Sequence, residues 1–225
     1  MMSGFRLTST FDDCFEYKGK TIHLDLSFDN VLRVFELFSD EMFLVVEKIE
    51  VALEMLVLEF ELVKDVDLEE KKALLFFILK EFLDIDLEGR SEVAEKKIFD
   101  FEQDAGLIYA SFLHAYGIDL FEQHGKLHWK KFLQLLQHLD DKSKFKEVVN
   151  IRKMPMPKPD KYNTEYRKQI AVMKRIYALD QPENEEQMQA KINKVFDTLA
   201  STFKRAGEIS DSRWPHRNRY TDQSK

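Results

Sequence analysis

The sequence predicts a mainly α protein: a helical bundle with a short N-terminal β-hairpin and a C-terminal helical extension. Three observations predict it. Apolar residues recur at spacings of three and four through most of the chain, a period-two alternation is confined to residues 15–26, and a proline cluster sets the last helical patterns apart.

The hairpin comes first. Phe15, Tyr17, Ile22, Leu24 and Leu26 alternate around Lys18-Gly19, and such a turn needs the positive φ that glycine adopts without strain. Ser27 or Asp29 can cap a helix over Asn30–Ser39, a short side-chain oxygen satisfying free amides at a helix start. Next, Met42, Val46, Ile49, Leu53, Leu56, Phe60 and Val63 form a heptad seam on one long helix. A second line, Val45, Ala52, Met55 and Leu62, runs beside it and makes this a core helix rather than a free coiled coil. A helix over Leu68–Leu83 is apolar around much of its circumference.

Phe101, Ala105, Ile108, Phe112 and Ala115 form a stripe that stops at Gly117, the residue type that ends helices left-handed. The following helix starts near Lys126 and carries Trp129, Phe132, Leu133, Leu135, Leu136 and Leu139, with the preceding helix as its nearest packing partner. A short helix over Ser143–Lys153 completes the bundle. Pro155, Pro157 and Pro159 then exclude helix, because each lacks an amide donor and fixes φ. Asn163 or Thr164 caps a helix with Tyr166, Ile170, Met173 and Tyr177, and the last helix presents Met188, Ile192, Val195, Leu199 and Phe203. The organisation read from this is a hairpin plus bundle over 1–153, a linker over 154–163, a helical extension over 164–206 and a flexible basic tail over 207–225.

Composition narrows the function classes. In 225 residues, 44% are apolar, ample for a core, so the chain is not a disordered one. The longest apolar run, Ala73–Leu79, is far short of the roughly 20 residues that span a bilayer. The expectation is a soluble protein of a reducing cytoplasm, with Cys14 its only cysteine and a bland one. Charge is polarised: residues 1–110 hold 12 Lys/Arg against 26 Asp/Glu, residues 111–225 hold 22 against 15. Such polarity lets copies attract head to tail or lets the basic half meet an acidic partner; ordinary solvated helix faces are the plain alternative.

Candidate chemistry is sparse. Asp84, Asp86, Glu88, Glu92 and Glu95, with Gly89, fall at the ligand and turn positions of a twelve-residue calcium loop. Against it, Ser91 stands where such loops carry an aliphatic residue, and the chain has no second loop, so a structural turn is favoured. His124 and His128 have the spacing of two zinc-binding imidazoles on one helix face, but Gly125 interrupts that helix and a solvated or helix-capping pair is the preferred reading. His114 and His138 read as core-edge residues. Ser111 lies inside a helical stripe, and Cys14 has no histidine in a readable motif, so no nucleophile is assigned. The tail Arg213–Tyr220, RWPHRNRY, interleaves arginine with aromatic residues, a composition that grips phosphate and stacks on bases. Without a supporting fold it reads as an inert tail, or one that docks on an acidic protein, and nucleic acid is not expected as a partner. No catalytic residue, metal or cofactor is assigned.

The segment Leu107–Leu136, LIYASFLHAYGIDLFEQHGKLHWKKFLQLL, resembles the signature block of the bacteriophage gene product fifteen family. Phe15–Leu37, FEYKGKTIHLDLSFDNVLRVFEL, is similar to the family's opening, and FKEVVNIRKMP from Phe145 to its continuation. The resemblance covers about Phe15–Leu179. It implies a non-enzymatic tail morphogenesis protein of a phage or prophage, acting in the host cytoplasm as a tail assembly chaperone for the tape measure protein. A structural tail or connector component of the virion is the alternative, and a calcium-binding adaptor a further one. The stripe Met188, Ile192, Val195, Leu199 and Phe203 is the expected partner-binding surface, and self-association is the other partner class.

Overall fold

The computed structural model describes residues 7–8, 10–85 and 98–180. They belong to two compact units: one holds the described residues up to Ile85 together with 125–130, the other 98–124 and 131–180.

The first unit opens with the expected hairpin. β1 (Cys14–Tyr17) pairs antiparallel with β2 (Lys20–His23), Phe15 opposite Ile22. Lys18 and Gly19 both have positive φ, 49° and 75°, the pair of left-handed residues a tight two-residue hairpin turn requires. Alternation puts Phe15, Tyr17 and Ile22 on the buried side. Phe15 meets Phe77 and Phe82 of α3 (Leu68–Leu83) at ring separations of 5.3 and 5.9 Å. These edge-on and tilted contacts suit the ring quadrupoles.

α1 spans Phe28–Ser39, two residues earlier than its periodicity suggests. Ser27 does occupy the capping position, but its hydroxyl donates to Asp25 Oδ1 at 2.7 Å instead of receiving a helix amide. The long helix expected over Met42–Val63 is a correction: α2 runs only from Val45 to Leu56. Asp40 Oδ1 accepts the Met42 amide at 2.8 Å, and Glu47 reaches back to the Leu44 amide at 2.8 Å, so local carboxylates fix a turn there and a fresh helix start. At the other end Val57 leaves the helix to bridge Leu24, while the Asp25 amide donates to Leu56 O at 2.9 Å and the Leu58 amide to His23 O at 3.0 Å. The chain thereby supplies a partner to the free side of β2. Ile49, Leu53, Leu56 and Val63 of the seam are buried, although Val63 is no longer helical, whereas Met42 and Val46 are exposed and Phe60 half-buried, so the seam is a core line only from Ile49 onward.

α3 matches its expected bounds, with Asp67 accepting the Glu70 amide at 2.9 Å. The unit's core lies among the hairpin, α1, α2 and α3, around Phe15, Ile22, Val31, Val34, Leu53, Leu56, Ile78 and Phe82. Burying each such side chain contributes about 1.5–3 kcal/mol, smaller for valine than for phenylalanine.

In the second unit α4 (Ala105–Tyr116) ends at Gly117, whose φ of 65° is the left-handed stop expected of it. Its stripe is narrower than the spacing suggests: Ile108 and Phe112 are buried, but Ala105 and Ala115 are exposed. α5 (Trp129–Gln137) starts three residues later than expected, and its first two residues cluster with the first unit. Phe132 of α5 stacks on Phe112 of α4 at 5.3 Å, as expected of neighbouring helices. α6 (Lys144–Lys153) is capped by Ser143, and α7 (Thr164–Ile176) follows the proline segment. Asn163 holds the end of that segment, donating to Lys158 O at 2.8 Å and accepting from Asp160 N at 2.9 Å. α7 buries Ile170 and belongs to the same compact unit as α4 and α6.

Candidate functional site

In the first unit the sharpest construction is made by residues 125–130, far along the chain from everything they touch. The Gly125 amide donates to Asp29 Oδ1 at 2.8 Å. Phe28 N–H donates to Leu127 O at 2.9 Å and Trp129 N–H to Leu26 O at 2.7 Å, giving a short antiparallel bridge between Ser27 and His128. Side chains reinforce the backbone: Trp129 lies edge-on to Phe35 at 5.5 Å, and Lys130 pairs with Asp84 at 3.4 Å. This pairing consumes the residues from which an earlier start of α5 would be built.

His128 is the centre of that clasp. Its Nδ1 accepts the Lys130 amide at 3.0 Å, a helix-capping bond that leaves the ring proton on Nε2, which lies 3.0 Å from Asp13 Oδ1. Phe11 stacks on the imidazole at 4.1 Å with an interplanar angle of 4°. His128 thus takes the capping role. His124 is exposed and near Phe121, so the two histidines do not share a helix face. His114 and His138, read as core-edge residues, are exposed instead, because α4 and the end of α5 turn those positions outward.

A second network joins the hairpin turn to α3. Tyr17 and Lys18 both reach Glu70 Oε1, at 2.7 and 2.8 Å. Burial pushes the Glu70 carboxyl up, but the bonds from Lys18 and Tyr17 outweigh it and hold the group below the usual carboxylate range. Tyr17 is raised by burial and by its bond to Glu70.

In the second unit Arg152 of α6 is the hub. Its guanidinium grips Asp104 at 2.6 and 2.8 Å and also donates to Ile98 O at 3.3 Å and Tyr177 O at 2.6 Å. Asp104 is 2% exposed and accepts the Asp100 amide as well. One side chain therefore ties the approach to α4, α6 and the end of α7 together. Ser111 is buried, its hydroxyl accepting the Phe145 amide at 3.3 Å, a packing role rather than a nucleophile's.

The other expected sites fare differently. Cys14 Sγ donates to Asp12 at 3.1 Å; that bond, then burial and the surrounding carboxylates, push the thiol up to about 11, so it stays protonated and inert at neutral pH. Asp84, first residue of the calcium-loop pattern, closes α3 with a left-handed backbone and faces Lys130. Asp86, Glu88, Glu92 and Glu95 lie outside the described residues, as do the stripe Met188–Phe203 and the tail Arg213–Tyr220. Among the described residues no group of three or more potential ligands could hold a metal ion, and no helix is long and apolar enough to cross a membrane.

Sequence reasoning missed the Asp104–Arg152 clamp and the His128–Asp13 pair, whose members lie 48 and 115 residues apart. It also missed two groups of exposed apolar side chains. Met42, Phe43, Leu44 and Val46 stand outward around the start of α2, and Tyr162, Tyr166, Val172 and Ile176 on and before α7. A signal for the first existed, since Asp40 and Glu47 are the turn and capping residues that break the seam.

The LHW element of the signature block lies in the clasp, YGIDL holds the left-handed stop of α4, and IYASF supplies its buried residues Ile108, Ser111 and Phe112. No curated protein and no solved structure matches the chain. The model of the family described as Bacteriophage Gp15 protein matches residues 7–179, which include both the clasp and the Arg152 hub, and the chain belongs to that family.

Proposed function

We propose that the protein is a non-enzymatic morphogenesis factor of a phage or prophage, a tail assembly chaperone that keeps the long helical tape measure protein soluble in the host cytoplasm. The observation that carries this reading is an inversion among the described residues. Polar groups at the clasp and the hub are committed to structure, as in the Asp104–Arg152 ion pair and the half-buried His128–Asp13 hydrogen bond, while large apolar side chains such as Met42, Leu44, Val172 and Ile176 stand exposed. A surface of that kind offers contact area to another polypeptide. Family membership supplies the phage context.

The partner-binding residues in this reading are Met188, Ile192, Val195, Leu199 and Phe203, which recur in the sequence at the three- and four-residue spacing of amphipathic docking helices. The test is co-expression with the neighbouring long helical gene product. Ile192→Gln with Leu199→Gln abolishes co-purification while leaving the circular dichroism spectrum unchanged; retention of the partner by that variant refutes the reading. Mass spectrometry of purified virions separates the chaperone from a structural tail component, because a chaperone is absent from finished particles.

A further inference from the structure

The two exposed apolar groups differ in the charge around them. Residues 36–54, which carry Met42, Phe43, Leu44 and Val46, hold six Asp/Glu and one lysine. That lysine, Lys48, is buried and donates to Phe38 O at 2.8 Å, and Lys71 pairs with Glu50 at 2.9 Å; Glu36, Asp40, Glu41, Glu47 and Glu54 make the acidic rim. Residues 153–176, which carry Met156, Tyr162, Tyr166, Val172 and Ile176, hold seven Lys/Arg and two Asp/Glu. On α7 the pattern is specific: Lys168, Val172, Arg175 and Ile176 recur at helical spacing and are all exposed. One surface is apolar with an anionic rim, the other apolar with a cationic rim.

We propose that copies of this chain associate head to tail, the acidic tip around Met42 and Leu44 of one copy seating on the basic α7 face of the next. Charge complementarity names the occupant. Neither surface suits a second copy of itself, because like rims repel, whereas each suits the other. Exposure supports burial on contact: Met42 is 90% and Leu44 70% exposed, against 56% for Val172 and 67% for Ile176. A contact between two different surfaces is heterologous, so it closes into a ring or continues as an open chain. Screening by salt weakens it, since the rims are solvent-exposed. This association uses the same exposed apolar groups that favour the chaperone reading, but neither the stripe Met188–Phe203 nor a second protein, so its test is independent of co-purification with the tape measure protein.

Sedimentation velocity of the purified full-length chain over a concentration series tests it. At low salt the average mass rises with concentration, and at high salt it falls back to that of one chain. Glu41→Lys with Glu47→Lys takes the formal charge of residues 36–54 from −5 to −1, and Lys168→Glu with Arg175→Glu takes that of residues 153–176 from +5 to +1; each variant alone sediments as a single chain. Mixed in equal amounts they pair again, because the unaltered acidic tip of the α7 variant fits the unaltered basic α7 of the tip variant. Glu47 caps the Leu44 amide, so Met42→Ser with Leu44→Ser provides a second tip variant that leaves the cap intact and also stays a single chain. A wild-type chain that never associates, association untouched by these variants, or a mixture no larger than its components overturns the proposal.

Discussion

Removing one side of the Asp104–Arg152 pair exposes what holds the second unit together. The pair is bidentate at 2.6 and 2.8 Å, with side chains 2% and 11% exposed, so solvent screens it little. Breaking such a pair by truncating one member costs about 3–5 kcal/mol, because the other is left as a buried charge without its counter-ion. The two truncations differ in kind. In Asp104→Ala the guanidinium keeps Ile98 O and Tyr177 O as acceptors, which places that variant near 3 kcal/mol. In Arg152→Met the carboxylate keeps the Asp100 amide, which places that variant near 5 kcal/mol. The double variant costs less than the two together, with a coupling of about 2 kcal/mol, since neither charge is then stranded. Urea unfolding followed by far-ultraviolet circular dichroism gives the free energies. Hydrogen exchange read by mass spectrometry locates the loss in α4, α6 and α7, with α1–α3 of the other unit unchanged. Single variants costing no more than about 1 kcal/mol, the range of an exposed pair, or additive effects in the double variant, would refute the clamp.

Two further outcomes are expected. Glu70→Gln flattens the acid limb of thermal stability: a carboxyl held below its ordinary range stabilises fully above its unfolded-state pKa, and that contribution is lost as pH falls through the folded value. Melting temperatures from neutral to acid pH show a smaller decline in the variant than in the wild type, and parallel declines would contradict the assignment. Gly19→Ala destabilises by about 1–2 kcal/mol, the penalty for placing a Cβ in the left-handed region. The open space around Gly19, whose φ is +75°, leaves no steric clash to add to it. Urea midpoints measure this, and an unchanged midpoint would mean that the turn relaxes into another type.

The sequence by itself determined the local grammar. Alternation around Lys18-Gly19, the Asp67 cap of α3, the Gly117 stop of α4 and the Ser143 start of α6 are decided within a few residues, because turns and helix ends are satisfied by side chains close in sequence. Periodicity also selected part of the core, so Ile49, Leu53 and Leu56 are buried where the seam put them, while Met42 and Val46 of the same seam are exposed. It could not limit α2, since heptad spacing is compatible with helix from Met42 to Val63 and what ends it is a backbone bridge from Val57 to Leu24, made only once the hairpin is in place. The same holds for residues 125–130. Their amphipathic pattern favours an earlier helix, yet pairing with Leu26, Phe28 and Asp29 satisfies the backbone groups and sets His128 against Asp13. Arg152 among the many basic residues of the second half carries no mark of its role until folding brings Asp104, Ile98 and Tyr177 to it. Tertiary structure decided these points because a buried polar group is worth little or much according to partners that linear spacing does not record.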